Sequence, residues 1–219
     1  MNYFNIIFSN RSILRIFQLE AFKKFKIAGE IIEFGASEKK NKNFCSHNLD
    51  NCKITFSNIN PSNKDYLNID LQKTISLNTK FDYIVIFNVL EHLLDANLAL
   101  RNLSAICKKN GKIIGSTPFL FRVHGAPKDY SRYTKDHLIE LLKSNNFKDI
   151  EIIELGTGPF LACISLLRSY LKYLPIFYQL LILLSLVFDK LIKLFIKTDP
   201  KKIYPIGYLF FATNTQNEK

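Results

Sequence analysis

The run Phe81-Asp82-Tyr83-Ile84-Val85-Ile86-Phe87 narrows the folds open to this chain more than any other stretch. From Tyr83 to Phe87 it carries no polar alternation, the pattern of a strand covered on both faces. Such strands belong to parallel sheets with helices on either side. Beyond Phe87 the pattern changes: Asn88, Glu91, His92 and Asp95 are polar, and Val89, Leu90, Leu93 and Leu94 fall at helical spacing. The strand is therefore predicted to end near Phe87, with a turn or helix following. Ligands of open α/β sheets bind beyond the carboxyl ends of the strands. Asn88 and its successors are thus expected at the mouth of a site.

The flanking segments fit a sheet built around that strand. Residues 1–28 are expected to form an N-terminal amphipathic helix, with Ile13, Leu14, Ile16, Phe17, Leu19, Phe22 and Phe25 on its apolar stripe. Gly29 stops it, and Glu30 to Ser37 reads as a first strand ending in a tight turn. Lys39 to Asn51 has no apolar period and is expected to be a loop or a short irregular helix. Ile54–Ile59 and Tyr66–Leu71 are predicted as the second and third strands, separated by the turn cluster Asn60-Pro61-Ser62-Asn63. A helix is predicted from Asp95 to Lys108, ended by basic residues and Gly111. Lys112–Pro118 is the fifth strand, Thr134–Asn146 a helix capped by Thr134, Phe147–Leu155 the sixth strand, and Ile203–Phe211 the last strand.

Asp82-Tyr83-Ile84-Val85 running into Asn88-Val89-Leu90-Glu91-His92 resembles the fourth-strand motif of class I S-adenosylmethionine-dependent methyltransferases. The resemblance covers about Ile31 to Phe211. It implies an α/β fold: a doubly wound Rossmann-like sheet, mostly parallel, with one antiparallel last strand. Residues 159–200 would be an apolar helical insertion before that strand, within a single domain over 1–219. Family members carry an acid and then glycines after the first strand, so that backbone can approach the cofactor. Glu33 and Gly35 match that pattern, while Ala36 and Ser37 do not complete a multi-glycine loop. At the end of the second strand the family places an acid on the ribose hydroxyls, and here Asn58 stands there. Asp70 and Leu71 match the adenine-binding position; the competing reading is that Asp70 caps the next turn. The resemblance thus assigns S-adenosylmethionine to Glu33, Gly35, Ala36, Asn58, Asp70, Leu71 and Asn88.

The segment from Pro118 to Thr134, with His124-Gly125-Ala126-Pro127-Lys128-Asp129-Tyr130-Ser131-Arg132-Tyr133-Thr134, resembles a bacterial branch of these enzymes. That branch, similar to methyltransferase type 11 enzymes, is associated with surface-polysaccharide and lipid-linked sugar pathways. His124 is the expected general base, its ordinary pKa being near neutral. His92, Asp129, Arg132 and Tyr133 are expected to face the acceptor. Asp129 and Arg132 could instead pair to hold the loop.

From Phe160 to Ile196 the chain is apolar and helical in pattern, divided by Pro175 and punctuated by Arg168, Lys172, Lys190, Lys193 and Lys197. Its longest uncharged run, Tyr173 to Phe188, is shorter than the roughly 20 residues of a membrane span. Two accounts compete: a pair of helices at an anionic membrane surface, and a buried helical hairpin. The formal charge of +11 suits an anionic surface and equally a lysine-rich solvated one. Arginine is scarce and no basic-aromatic motif is present, so no specific nucleic-acid partner is expected. Cys45, Cys52, Cys107 and Cys163 form no CxxC pair, so no metal is expected. Their scatter suits reduced thiols in the cytoplasm, peripheral at the inner face of the membrane under the first account. The amino terminus lacks a basic start and a cleavage site, which gives no support to a signal peptide.

The leading expectation is methyl transfer from S-adenosylmethionine to a small-molecule, sugar or lipid-linked acceptor. The alternative, motivated by the missing loop glycine and Asn58, is a catalytically degenerate binding or scaffold protein at a membrane. A nucleotide-binding oxidoreductase would need a G-x-G-x-x-G turn, which the chain lacks.

Overall fold

The computed structural model describes residues 6–7, 9, 11–39, 42–47, 52–125 and 128–216. Ala126 and Pro127 of the segment after the fifth strand lie outside them. In chain order the elements are α1 (Ile13–Phe22), β1 (Gly29–Phe34), β2 (Cys52–Asn58), β3 (Leu67–Asn68), β4 (Phe81–Phe87), α2 (Ala96–Ile106) and β5 (Cys107–Pro118). They continue with α3 (Lys135–Lys143), β6 (Phe147–Leu155), α4 (Pro159–Leu171), α5 (Pro175–Phe195), α6 (Pro200–Ile203) and β7 (Gly207–Asn214).

Seven strands form one sheet in the order β3-β2-β1-β4-β5-β7-β6. The pairs β1–β2, β1–β4, β2–β3 and β4–β5 are parallel, with Ile32 opposite Ile84 and Ile84 opposite Ile113. β7 runs against β6: Thr215 N–H reaches the Asn146 carbonyl at 2.8 Å, while at the other end Ile206 N–H reaches that of Leu155 at 2.9 Å. This is the doubly wound, mostly parallel sheet with an antiparallel last strand, flanked by helices, that the resemblance implies. β1 and β4 are apolar because both faces are covered: Ile31, Ile32, Ile84, Val85 and Ile86 are all fully buried.

By internal packing the chain divides into two compact units. One comprises Phe25–Thr117, His124–Ile152 and Leu209–Lys219. Its core joins the central strands to Leu100 and Leu103 of α2 and Leu138 of α3, all fully buried. Phe210 of β7 lies over Gly115 of β5, where any side chain would collide with the ring. The other unit comprises Met1–Lys24, Pro118–Val123 and Ile153–Tyr208. In it Asp189, 2% exposed, turns inward from α5 and accepts from Phe160 N–H and Leu161 N–H at 2.9 and 3.2 Å and from the Thr157 hydroxyl at 2.6 Å. The carboxylate thereby caps α4, whose own N-cap Gly158 has no side chain to do so.

Several predicted boundaries move. β3 shrinks to two residues, and β5 begins at Cys107 because Cys107 already pairs with Phe81 across an irregularity between Phe81 and Tyr83. The last strand starts at Gly207, preceded by a short helix that no periodicity announced. The four cysteines are free: Cys45 and Cys107 are buried, Cys163 is exposed.

Candidate active site

A cleft of about 390 Å³ opens where β1, β2 and β4 end, within the range of small-ligand pockets. Its position follows from two left-handed turns. Gly35 ends β1 at φ +66°, and a Cβ there would stand 2.5 Å from Val89 Cγ2. Asn88 ends β4 at φ +55°, a conformation Asn tolerates, with its N–H donated to the Ser116 carbonyl at 2.8 Å. Both turns lie at the cleft wall, with the Val89 side chain packed against Gly35.

Gly35, Asn58, Leu71, Asn88 and His92 line the cleft. Asn58 is fixed by its own amide, Nδ2 donating to the Ala36 carbonyl and Oδ1 accepting from Ile59 N–H. Gln72, Lys128 and Tyr130 also line it. Gln72 Oε1 accepts from Leu94 N–H and Asp95 N–H at 2.9 and 3.1 Å, tying the loop after β3 to the entry of α2.

Other expected residues do different work. Glu33 is 3% exposed, and its carboxylate accepts the N–H groups of Phe44 and Cys45, both at 2.9 Å. It organises the loop before β2 instead of lining the cleft. Ala36 is buried and donates its N–H to the Ser57 carbonyl. Asp70 accepts from Gln72 N–H at 2.9 Å and stands 3.6 Å from Lys73, the capping alternative, while its neighbour Leu71 reaches the cleft. Tyr133 is 4% exposed and donates its hydroxyl to the Leu90 carbonyl at 3.1 Å, so it packs under the site without facing an acceptor.

Asp129 and Arg132 pair, as the loop-holding alternative had it. Both guanidinium Nη atoms donate to the Asp129 carboxylate at 2.5 and 2.6 Å, and His124 N–H donates to it at 2.8 Å. Hydrogen bonding from Arg132 holds the Asp129 carboxyl well below the usual carboxylate range against its burial. His124 does not line the cleft itself but stands beside it, its ring edge-on to that of His92 with centroids 4.9 Å apart.

Glu91 is the residue that sequence reasoning passed over. It sits in the 3-10 turn Leu90–His92, fully buried, and neither carboxylate oxygen has a hydrogen-bond partner. Burial pushes its carboxyl up to about 8. The Leu-Glu-His tripeptide was visible, but nothing in it signals that the acid turns inward.

A sequence profile for the methyltransferase domain matches residues 9–152, well over half of the chain. The chain belongs to the methyltransferase domain family. The S-adenosylmethionine-dependent enzyme and its cofactor, expected from the sequence, accord with that membership. Solved methyltransferases share the fold. Phosphoethanolamine N-methyltransferase 2 of Haemonchus contortus, in complex with S-adenosyl-L-methionine, is 16% identical with a TM-score of 0.57, the match covering 97% of this chain and 56% of that one. This chain thus spans just over half of that methyltransferase. A possible histamine N-methyltransferase of Thermotoga maritima is 12% identical (TM-score 0.55; 96% and 92% covered). A methyltransferase of Archaeoglobus fulgidus is 14% identical (TM-score 0.55; 98% and 100% covered). No curated protein matches the chain.

Proposed function

We propose that this methyltransferase binds S-adenosylmethionine in the cleft at Gly35, Asn58, Leu71 and Asn88 and transfers its methyl group to a sugar or lipid-linked acceptor at an anionic membrane surface. The observation that supports the cofactor reading is the cleft at the ends of β1, β2 and β4, lined by Gly35, Asn58, Leu71 and Asn88 together. Asn58 would hydrogen-bond the ribose hydroxyls as donor and acceptor. Ile59, Ile69 and Leu71 would flank the adenine. When bound, the cofactor supplies a methyl group already activated on a sulfonium, so the chain chiefly contributes proximity and orientation. His124, beside the cleft, would take the proton of a hydroxyl acceptor, its backbone fixed by the Asp129–Arg132 pair. Tyr130, 43% exposed on the cleft wall, is the side chain most open to an acceptor.

The membrane reading rests on α4 and α5. Tyr170, Leu174, Ile176, Leu180, Leu194 and Phe195 are exposed, far beyond the scattered apolar residues of ordinary surfaces. α5 is long and apolar enough to cross a bilayer, with mean hydropathy 1.8 and only 17% buried in its most apolar stretch. Asp189 within it, engaged in capping α4, suits a helix lying in the interface better than one spanning it. Lys172, Lys190, Lys193 and Lys197 would meet anionic headgroups. A sugar-lipid acceptor of the surface-polysaccharide kind, met at the cytoplasmic face, fits such a location.

Calorimetry with S-adenosylmethionine tests the first part: saturable binding by the wild type, lost in Gly35→Val, is expected. No heat at millimolar ligand would favour the non-catalytic scaffold.

A further inference from the structure

We propose that Glu91, His92 and His124 form a binding site for one divalent first-row transition cation beside the cleft. One donor atom from each lies within 4.8 Å of the other two. The first observation is the Glu91 carboxylate, fully buried with both oxygens unpartnered. His92 Nε2 stands 3.8 Å from its Oε1. A buried carboxylate without a partner is costly, and buried charges normally pair or coordinate metal.

The second observation is how the imidazoles are held. His92 Nδ1 lies 2.5 Å from the Lys128 carbonyl. That bond places the proton on Nδ1 and leaves the Nε2 lone pair on the side of Glu91, the arrangement that orients metal-ligating histidines. His124 is anchored through its backbone to Asp129, whose carboxylate also stands 3.3 Å from His124 Nδ1 and is gripped by Arg132. The Lys128 carbonyl thus orients the His92 ring, and Asp129 fixes the His124 backbone and lies beside its ring.

Two imidazole nitrogens and one carboxylate suit zinc, manganese, iron, cobalt or nickel, whereas magnesium and calcium ask for a shell of oxygens. Metal–ligand bonds of about 2.0–2.2 Å require the three donors to draw in by roughly 1 Å, within reach of side-chain rotation. Three protein ligands leave a coordination position open. Because His92 lines the cleft, that position faces the space where the acceptor would enter; with the cation bound, the His124 lone pair is spent on it, and the cation, in place of His124 as base, would activate the acceptor by polarising its oxygen. This last consequence rests on the methyl-transfer reading; cation binding does not. The ligands come from two segments 32 residues apart, and no spacing in the sequence announces them.

The test uses the full chain after chelator treatment, titrated with cobalt(II) by visible absorption and with zinc(II) and manganese(II) by calorimetry, in the absence of S-adenosylmethionine. One equivalent should bind. Glu91→Gln, near in shape and neutral, and His124→Ala should each weaken binding about 10-fold or more, while His137→Ala, outside the cluster, should not. Thermal unfolding of Glu91→Gln confirms that the fold is kept. Failure of the wild type to bind any of the three cations, or undiminished binding by both cluster variants, overturns the site. Loss of methyl transfer with intact cobalt binding would count against the functional reading alone.

Discussion

Asp189 on α5 accepts the backbone N–H of Phe160 at the start of α4, 2.9 Å away, from a position 29 residues later in the chain. One carboxylate so replaces the N-cap side chain that Gly158 lacks and ties two apolar helices together. Asp189→Ala should destabilise the protein by about 2 kcal/mol, because it orphans the buried Leu161 N–H, the part-buried Phe160 N–H and the Thr157 hydroxyl. Asp189→Asn, which keeps acceptors but loses charge, should cost less. Urea unfolding of the two variants reads the difference: equal costs would show that the charge carries the whole cap, and a negligible cost for Asp189→Asn that it contributes nothing.

Gly35 has φ +66° and Val89 against it. Gly35→Val should destabilise by about 1–2 kcal/mol through the left-handed backbone alone, with crowding added. Its larger effect should be on ligand: S-adenosylmethionine binding, followed by calorimetry, should fall below detection while circular dichroism still reports a folded chain.

Asp82 accepts from Glu30 N–H and from the Lys108 ammonium, each at 2.9 Å, clipping β1 and the start of β5 to β4. Partial burial pushes its carboxyl up, and the bonds from Lys108 and Glu30 more than reverse that, holding it below its ordinary value. A depressed carboxyl contributes stability that is whole above the unfolded value near 4 and disappears as pH falls through the folded one. Asp82→Asn should therefore cost about 1 kcal/mol at pH 7, a modest figure because the pair is partly exposed. The gap between variant and wild type should close in unfolding measured near pH 3. A gap that persists in acid would place the effect in packing.

The exposed faces of α4 and α5 should carry the protein onto vesicles containing phosphatidylserine at low salt, read by co-sedimentation. Replacing Lys190, Lys193 and Lys197 by Glu should reduce that binding by an order of magnitude or more, at about 1 kcal/mol per lysine. Equal partition onto neutral and anionic vesicles would remove the charge argument.

The central strands were legible because Tyr83 to Phe87 and Ile31–Ile32 are apolar on both faces, which few other structures tolerate. Helix starts were legible where capping chemistry is local: Thr134 accepts from His137 N–H and Asp95 from Leu98 N–H. Pro175 divides the apolar helices where the sequence puts it. The extended start of β5 was hidden, since Lys108, Lys109, Asn110 and Gly111 look like a helix end and become strand only through pairing with β4. Within the site, backbone positions such as Gly35, Asn88 and Leu71 could be placed from the motif. The directions of Glu33 and Asp70 could not, because each is set by amide groups in a loop. The inward turn of Glu91 belongs to the same class.

The strand order holds one more implication. β7 fills the gap between β5 and β6, yet it follows β6, α4 and α5 in the chain. During synthesis β6 must therefore wait without its neighbour while two greasy helices leave the ribosome ahead of the missing strand. That interval is when the nascent chain is most open to aggregation, and a chaperone or lipid that shelters those helices would raise the yield of correctly closed sheet.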